Sequence, residues 1–457
     1  MSTPEIRGLR DHLGPGSKGR SISDAKQEWP LSSHSQLTYL GGGDRQLSER
    51  SVLLAVSGQL LSGLAMIEVD GLARRMLLLP PDVNADHIGF LLKEAEIDAV
   101  VTDQPERWEA AGVNVIPVQF PQTTASRPVT ECATQWLMLT SGTSGVPKIV
   151  RHTLDGLCGA IRADEGSHGP SPVWSTFYDI RRYGGLQIFL RAVVGGGSMV
   201  LSEPGESLAD YVARLVARGV THISGTPSHW RKLLMSGHVS QFSPRYVRLS
   251  GEIADQAILD GLALAFPGAS IGHAYASTEA GVGFSVNDGR EGFPASLIGP
   301  DLNGVEMKVV DGSLYIRSRR TAEAYVGKNV ATLVDPDGFV DTGDMVELRG
   351  DRYHFVGRRG GIINIGGLKV HPEEIEAVIN RHPAVRISRA RSRRSPITGS
   401  IVVVDVVLAQ DRLGREKQIR DDILRECRHR LAPYKLPAMI SFVESLDVTP
   451  AGKLARS

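Results

Sequence analysis

Short apolar runs alternate with amphipathic stretches between residues 51 and 277, and this alternation predicts the main elements of the fold. Runs rich in leucine and β-branched residues predict buried strands at 51–56, 76–80, 98–102, 135–140, 221–225, 245–251 and 270–277. Apolar positions at helical spacing predict helices at 87–97, 207–219, 228–235 and 255–266. Strands that alternate with helices predict doubly wound, largely parallel sheets, whose ligands lie at the carboxyl ends of the strands.

A different pattern follows at 303–356, where short strands and turns predict an antiparallel subdomain rich in hairpins. The segment GRRGG at 357–361 predicts a hinge, because glycine tolerates large backbone rotations. Beyond it, amphipathic helices are predicted at 371–380 and 413–431. The chain therefore changes its architecture twice along its length.

The predicted fold class is α/β with two domains. A large N-terminal domain (1–357) of doubly wound sheets plus a small antiparallel subdomain precedes a small mobile α+β C-terminal domain (358–457). Lys+Arg and Asp+Glu each total 51 in the whole chain, but residues 358–457 hold 19 of the basic and 11 of the acidic residues. The remaining 32 basic and 40 acidic residues lie in 1–357, which predicts two units with different partners.

The composition, with 41% hydrophobic and 22% charged residues, is ordinary for a globular protein. The three cysteines lie far apart in the sequence, which excludes a disulfide scaffold and a Cys-x-x-Cys zinc site. The first residues lack the apolar core of a signal peptide, and no apolar run reaches the length of a membrane span. We therefore expect a cytoplasmic protein without a membrane span.

The strand predicted at 135–140 leads into the segment TSGTSGVPK, which combines hydroxyl groups, glycine amides and a lysine. Such a loop at a strand end suits a polyphosphate, because it offers backbone N–H groups and a cation to negative oxygens. It is not a Walker A loop, since Lys148 follows a proline and no Ser or Thr succeeds it. The candidate phosphate-binding residues are Thr140, Ser141, Gly142, Thr143, Ser144, Gly145 and Lys148.

This segment resembles the phosphate loop of the adenylate-forming superfamily, which comprises acyl-CoA synthetases, aryl-acid and amino-acid adenylation domains, and luciferases. Four further segments resemble motifs of that superfamily in the same order: HAYASTEAG (273–281), DTGD (341–344), GRRGGIINIGGLKVHPEEIE (357–376) and TPAGKLAR (449–456). The resemblance spans roughly residues 50–456. It is specific for the superfamily and says little about the substrate.

The resemblance implies roles for individual residues. Tyr275 is expected to stack on adenine, Thr278 to bond the α-phosphate and Glu279 to hold Mg²⁺, a hard cation that prefers carboxylates. Asp344 is expected to accept both ribose hydroxyls, with Arg358 beside the same ribose. The segment 273–281 also implies nucleotide contacts for His273, Ala274, Ala276 and Ser277. Gly251 and Glu252, which follow the predicted strand RYVRL, resemble the superfamily segment that lies along adenine.

Lys453 is the residue expected to be catalytic, together with Thr278 and Glu279. In the superfamily such a lysine bridges the carboxylate and the α-phosphate while pyrophosphate leaves, which stabilises the transition state. The sequence also departs from the pattern. Ala276 replaces a usual glycine, and His273 stands where an amide often faces adenine.

The hinge segment departs from the superfamily pattern as well. Gly360 stands where the pattern expects Asp or Lys, and Asn364 stands where a lysine is common. Glycine permits rotation at this pivot but gives up the side-chain contacts that favour one pose. We therefore expect the two domains to alternate, with populations that the sequence leaves open.

The acyl pocket is expected near 176–190 (TFYDIRRYGGLQIFL), where several alternatives stay open. Either Tyr178 or Arg182 could stand as a gate, and the spacing from Gly185 favours Arg182. Asp179 could instead pair a substrate amine, and Arg181 with Arg182 could bind a second carboxylate. The candidate pocket residues are Tyr178, Asp179, Arg182, Gly184 and Gly185.

The predicted function is an ATP-dependent carboxylic acid–thiol ligase with Mg²⁺ that forms an acyl-AMP and transfers the acyl group to coenzyme A. The alternative acceptor is a separate phosphopantetheinyl acyl carrier protein, since the sequence ends four residues after Lys453 and we expect no fused carrier. A non-catalytic nucleotide sensor is less favoured, because binding alone needs neither Lys453 nor Glu279. The part before the first shared strand is shorter than in most members of the superfamily, and this shortening either removes packing or marks the interface of a homodimer.

Two other function classes are disfavoured. The five arginines of RISRARSRRSP (386–396) suit coenzyme A phosphates or an acidic carrier protein, whereas nucleic-acid binding is not expected because no aromatics are interleaved. The Gly-x-Ser-x-Gly match at 268–272 follows a predicted helix and begins a strand. A hydrolase nucleophile needs the opposite order, strand and then helix.

Overall fold

The computed structural model describes residues 8–13, 17–35, 37–40, 43–119, 121–123, 130–140, 146–161, 171–328, 330–365, 368–395, 399–409, 414–449 and 453–455. All statements below concern these residues.

The strands, in chain order, are β1 (Ser21–Ser23), β2 (Glu28–Pro30), β3 (Leu37–Thr38), β4 (Ser51–Ala55), β5 (Arg75–Leu78), β6 (Ala99–Thr102), β7 (Asn114–Pro117), β8 (Gln122–Thr123), β9 (Gln135–Thr140), β10 (Lys148–His152), β11 (Val173–Thr176), β12 (Ser198–Val200), β13 (His222–Gly225), β14 (Tyr246–Ser250), β15 (Ser270–Ser277), β16 (Gly281–Val286), β17 (Phe293–Pro294), β18 (Gly299–Leu302), β19 (Val305–Val310), β20 (Ser313–Ser318), β21 (Ala324–Val326), β22 (Val340–Arg349), β23 (Arg352–Arg358), β24 (Ile363–Ile365), β25 (Leu368–Val370), β26 (Val385–Ser395), β27 (Gly399–Leu408) and β28 (Met439–Phe442).

The α-helices are α1 (Gln59–Val69), α2 (Ile88–Glu94), α3 (Leu154–Cys158), α4 (Tyr183–Val194), α5 (Leu208–Ala217), α6 (Pro227–Met235), α7 (Gln256–Ala265), α8 (Pro372–Ile379) and α9 (Glu416–Arg430). Several of these helices begin at a residue whose side chain caps the first turn by accepting a backbone hydrogen bond. Ser207 accepts from the backbone N–H of Asp210 at the start of α5, and Asp255 accepts from that of Ile258 at the start of α7.

Two mixed sheets form the larger part of the chain. One has the order β16-β15-β14-β13-β11-β12-β1-β2, and its six inner strands run parallel while β2 and β16 are antiparallel edges. The other has the order β21-β10-β9-β5-β4-β6-β7, with β21 and β10 antiparallel to their neighbours. The predicted α/β class with doubly wound, largely parallel sheets is confirmed.

A third sheet, β17-β23-β22-β20-β19-β18, is antiparallel throughout and confirms the hairpin-rich subdomain predicted for 303–356. Beyond it, β24 and β25 form a hairpin, and a sheet β26-β27-β28 follows. Helices α8 and α9 share one apolar core with these last strands, which gives the expected α+β arrangement. The predicted domain division falls between Gly357 and Arg358, at the end of β23, and stays a prediction.

Separate apolar cores hold these layers together. The largest fills the space around α1 and α4 with side chains from both mixed sheets, such as Met76, Trp136 and Met199. A second core lies under α5, α6 and α7, and a third belongs to the antiparallel sheet. The mixed sheets are thus buried on their faces and leave their strand ends for polar side chains.

Candidate active site

Four neighbouring parallel strands, β11, β13, β14 and β15, end at one edge of the first sheet. The residues just beyond these ends include Tyr178, Thr226, Gly251 and Thr278. The Tyr178 hydroxyl donates to the carbonyl oxygen of Ser250 at 2.7 Å, which ties two of the ends together. The carboxyl edge of this sheet is therefore where the predicted site residues meet.

Tyr275 connects this edge to the antiparallel sheet. Its hydroxyl donates to Asp344 Oδ2 at 2.6 Å, and Arg358 Nε donates to Asp344 Oδ1 at 2.8 Å. The ring of Tyr275 lies nearly parallel to those of Phe284 and Phe355, with centroids 5.8 and 5.3 Å away. Burial, reinforced by the charge of Asp344, raises the pKa of Tyr275 well above its usual value, so the hydroxyl stays a donor.

Asp344 and Arg358 meet because they are direct partners in the β22–β23 pairing. Each carboxylate oxygen has a second lone pair, so Asp344 can accept further hydrogen bonds while it holds Tyr275 and Arg358. The structure thus brings together three residues predicted around the nucleoside, although 69 positions separate Tyr275 from Asp344.

Lys453 reaches the same place from the far end of the chain. A β-carbon built on Gly251 would lie 3.6 Å from Cε of Lys453, and Gly251 itself has a φ of +83° that favours glycine. Desolvation of the ammonium group lowers the pKa of Lys453, although the residue as a whole is exposed, and the nearby Arg358 charge adds to this effect. Acidic side chains act in the opposite direction, namely Glu252, Asp344 and Glu279.

Thr278 is held through its backbone. Its carbonyl oxygen lies 2.7 Å from Nε2 of His152, a side chain only 1% exposed at the end of β10. Burial lowers the pKa of His152 to about 4, so the neutral ring donates from Nε2. His152 was not predicted as a site residue, because a lone histidine that ends a strand gives no signal in the sequence.

Glu279 meets a second residue that the sequence analysis did not select. Burial, together with the nearby Glu279 carboxylate, raises the pKa of Tyr325 to about 12. The ammonium nitrogen of Lys148 lies 5.0 Å from the Tyr325 ring centroid, in a cation–π contact. Lys148 and Thr140 are direct partners across β9 and β10, so the two ends of the predicted phosphate loop lie next to each other.

The other predicted phosphate-loop residues lie outside the described residues: Ser141, Gly142, Thr143, Ser144 and Gly145. In the part of the chain that the structure describes, no group of three or more His, Cys, Asp or Glu side chains could hold a metal ion. Glu279 offers one carboxylate, which fits a Mg²⁺ ion that arrives on nucleotide phosphates, because Mg²⁺ commonly keeps several waters and few protein ligands.

The remaining residues of the Tyr275 segment have local roles in the structure. His273 lies with Nε2 3.0 Å from the carbonyl oxygen of Arg290, and burial lowers its pKa. Ala276 packs against the largest apolar core, and Ala274 is buried in β15. The Ser277 hydroxyl accepts from the backbone N–H of Ala280 at 3.0 Å, which shapes the turn that carries Thr278.

Glu252 was expected to lie along adenine, but its carboxylate engages protein donors. Oε2 accepts from the backbone N–H of Ser228 at 2.9 Å, in the first turn of α6, and Oε1 accepts from the Ser228 hydroxyl at 3.0 Å. Oε1 also accepts from the backbone N–H of Leu454 at 2.9 Å. This carboxylate therefore joins the sheet edge to the residue that follows Lys453.

The candidate acyl residues fall into two groups. Asp179 forms a two-point pair with Arg181, at 2.8 and 2.6 Å, and Arg181 is 1% exposed. Arg182 pairs with Asp82 instead of standing free. Asp179 was a candidate to pair a substrate amine, and Arg181 with Arg182 were candidates to bind a second substrate carboxylate. In the structure, each of these three charged groups is paired with another side chain of the protein.

The two glycines of the same segment serve close packing. A β-carbon on Gly185 would lie 2.1 Å from the carbonyl oxygen of Asp179, so no other residue fits there without movement. A β-carbon on Gly184 would lie 3.6 Å from the Tyr178 ring, in ordinary contact. Tyr178 itself is 9% exposed and faces Gly251, which keeps it at the edge where Lys453 arrives.

A cleft of about 310 Å³ lies between α8 and the strands β15 and β23. His273 and Phe355 line one side, and Arg381 and Leu431 line the other. Arg381 also crosses the cleft, because its Nη2 donates to Glu291 Oε1 at 2.9 Å. We call residues 358–457 the small unit and residues 1–357 the large unit. The small unit thus contacts the large unit on the side where Tyr275 and Asp344 lie.

The profile of the AMP-binding enzyme family matches residues 75–326, more than half of the chain. The chain belongs to this family. The profile of the AMP-binding enzyme C-terminal domain matches residues 374–453, which include Lys453. The predicted membership in the adenylate-forming superfamily is confirmed.

Relatives of this AMP-binding enzyme differ in what they do. A 2-succinylbenzoate–CoA ligase of Staphylococcus epidermidis is 26% identical over 334 residues, which cover 70% of this chain and 68% of that protein. A dimodular nonribosomal peptide synthase of Bacillus subtilis is 24% identical over 89% of this chain, which spans only 19% of that protein. A solved benzoate CoA ligase from Burkholderia xenovorans LB400 has the same fold, with a TM-score of 0.80, 18% identity and coverage of 98% and 99% of the two chains.

Among the described residues, no helix is both long enough and apolar enough to span a membrane.

Proposed function

We propose that the protein is an ATP-dependent carboxylic acid–thiol ligase that forms an acyl-adenylate and then a thioester. The observation that carries this proposal is the arrival of Lys453 at Gly251, within electrostatic reach of Asp344, Glu279 and Arg358. Tyr275 and Asp344 are the residues expected to bind the nucleoside. A cation that lies beside them is suited to stabilise negative charge at the α-phosphate. Binding alone would not require it.

In the first half-reaction, a carboxylate oxygen of the acid attacks the α-phosphorus of ATP. The bond between that phosphorus and the bridging oxygen breaks, and pyrophosphate leaves with the electron pair. Lys453 Nζ offers hydrogen bonds to the charge that develops between the carboxylate and the α-phosphate. The hydrogen bond from His152 to the carbonyl oxygen of Thr278 fixes the backbone of Thr278, and so keeps its side-chain hydroxyl in place for the same phosphate.

Other residues bind the nucleotide without taking part in bond changes. Tyr275 presents an aromatic face, and Asp344 has lone pairs left for ribose hydroxyls beyond its bonds to Tyr275 and Arg358. Lys148 and the loop that it follows hold the β- and γ-phosphates. A Mg²⁺ ion held by Glu279 would neutralise phosphate charge when bound.

In the second half-reaction, a thiolate sulfur attacks the carbonyl carbon of the acyl-adenylate, and AMP leaves with the bridging oxygen. We take coenzyme A as the acceptor, since the names of the Staphylococcus relative and of the Burkholderia structure describe CoA ligases. A separate carrier protein is the alternative, and the match to the peptide synthase gives it weight. The pairing of Asp179 with Arg181 argues against an α-amino acid substrate, because the carboxylate is already neutralised.

The test is acid-dependent pyrophosphate release from ATP and Mg²⁺ across aliphatic, aryl, dicarboxylic and amino acids, each with and without coenzyme A. Steady turnover that requires both an acid and coenzyme A supports the proposal and identifies the acid class. Release that stalls near one equivalent with coenzyme A present points to a carrier protein. No release with any acid overturns the ligase function.

A further inference from the structure

We infer that Glu252 is a positioning residue for Lys453: it anchors the backbone beside the lysine and so sets where the ammonium lies during acyl-adenylate formation. This inference rests on the proposed function for its catalytic part. It assigns Glu252 a task different from the contact with adenine that the sequence predicted.

The contact has the geometry of an anchor. Glu252 Oε1 accepts from the backbone N–H of Leu454 at 2.9 Å, although 202 positions separate the two residues. The same carboxylate is fixed by Ser228, whose backbone N–H and hydroxyl lie 2.9 and 3.0 Å from its two oxygens. An ionised acceptor with three N–H or O–H donors is a strong and directional hydrogen-bonding group.

The small unit leaves the Leu454 amide free for this contact. Leu454 bridges to Val448, but the ladder bonds run from Thr449 N–H to the Lys453 carbonyl and from Ala455 N–H to the Asp447 carbonyl. The Leu454 N–H therefore takes no part in that pairing. Within the described residues, its hydrogen bond is the one to Glu252.

The anchor acts next to the reacting group. Glu252 follows Gly251, against which Cε of Lys453 lies, and Leu454 follows Lys453. The hydrogen bond between Glu252 and Leu454 thus fixes the two backbone segments, 251–252 and 453–454, at the point where they lie side by side. A long lysine side chain has many rotamers, and fixing its backbone narrows the positions that its ammonium can occupy.

The first experiment compares Glu252→Ala with wild type in pyrophosphate release. We expect kcat to fall about tenfold, the scale of one hydrogen bond to a charged group, while the KM for ATP changes less than twofold. Glu306→Ala, which removes an exposed partner of Arg317, is the matched control and should retain wild-type kcat. A raised KM for ATP with unchanged kcat would overturn the inference and return Glu252 to the adenine site.

The second experiment asks whether Glu252 acts through Lys453. In a Lys453→Ala background, Glu252→Ala should cause no further loss of pyrophosphate release. A further tenfold loss would mean that Glu252 acts independently, and the inference would fail.

A third comparison covers the case in which Glu252→Ala folds poorly because α6 loses its acceptor. Leu454→Pro removes the N–H donor, whereas Leu454→Ala keeps it. The proline variant should lose kcat as Glu252→Ala does, and the alanine variant should lose much less. Equal kcat in the two Leu454 variants would contradict the anchor.

Hydrogen exchange separates this inference from the ligase proposal. The C-terminal peptide that contains Leu454 should exchange faster in Glu252→Ala than in wild type or in Glu306→Ala. Unchanged exchange overturns the anchor whatever the activity. Faster exchange in a protein that releases no pyrophosphate with any acid keeps the contact and rejects the ligase function.

Discussion

Removal of the Lys453 amine is the sharpest perturbation of the proposed first half-reaction. Lys453→Ala deletes the cation that lies at Gly251, while Arg358 stays bound through Nε to Asp344 at 2.8 Å. The loss is therefore that of one preorganised transition-state donor, about 3–4 kcal/mol. We expect acyl-adenylate formation to slow by roughly 10²–10³-fold.

The assay measures the two half-reactions separately in Lys453→Ala. Pyrophosphate release reports the first, and attack of the thiol on preformed acyl-adenylate reports the second, which should change less than about threefold. ATP binding should also persist, since the phosphate loop and Asp344 are intact. An equal loss in both half-reactions would refute the role of Lys453, because it would indicate general damage to the site.

The charge of Lys453 gives this prediction a pH signature. The lysine must be protonated to stabilise negative charge, and burial lowers its pKa below the usual value. The rate of pyrophosphate release should therefore fall on the alkaline side at a pH below about 10.5, the ordinary lysine pKa. Lys453→Arg should lack this alkaline decline, because arginine stays protonated; a decline that persists in Lys453→Arg would assign the titration to another group.

Three further predictions concern the nucleoside, the buried histidine and the packing of α4. Asp344→Ala should raise the KM for ATP by about tenfold or more, since it removes the acceptor expected for the ribose, and an unchanged KM would remove Asp344 from that site. The pKa of His152 is lowered to about 4 in the folded state, against about 6.5 in the unfolded chain. The free energy of unfolding of the wild type should therefore fall by up to about 3 kcal/mol as the pH falls from about 6.5 to about 4. Urea titrations of His152→Gln should lack this decrease. Gly185→Ala should lower the free energy of unfolding by about 1–3 kcal/mol, because its β-carbon would lie 2.1 Å from the Asp179 carbonyl oxygen; wild-type stability in urea would show that the loop adjusts freely.

Local periodicity was sufficient for the elements that the sequence analysis predicted, whereas α1, α4, β11 and β12 were not predicted. The runs at 135–140 and 270–277 became β9 and β15 with the same bounds, and the amphipathic stretch at 207–219 became α5. The hairpin signals at 303–356 became an antiparallel sheet. Such elements are recoverable because neighbouring residues share one face, so the pattern is written within a few positions of the sequence.

The contacts between distant segments could not be predicted in this way. His152 holds the Thr278 carbonyl across 126 positions, and Tyr325 lies close to Glu279. A histidine or tyrosine in such places has the same sequence appearance as one that only packs. Motif resemblance selected Lys453 and Asp344, but the partners that fix them depend on how sheets and loops meet in space.

One charged contact between the two units, from Arg381 to Glu291, agrees in sign with the charge split. The large unit has the excess of acidic residues, and it supplies the acceptors Glu252 and Glu291; the small unit has the excess of basic residues, and it supplies Arg381 and the Leu454 amide as donors. A partly exposed ion pair such as Arg381–Glu291 contributes only about 1 kcal/mol or less. Such contacts fix the orientation in which the two units dock, and little free energy is needed to break them. In the proposed ligase reaction, contacts of this kind would let the small unit bring Lys453 in for adenylation and withdraw it for thiol attack.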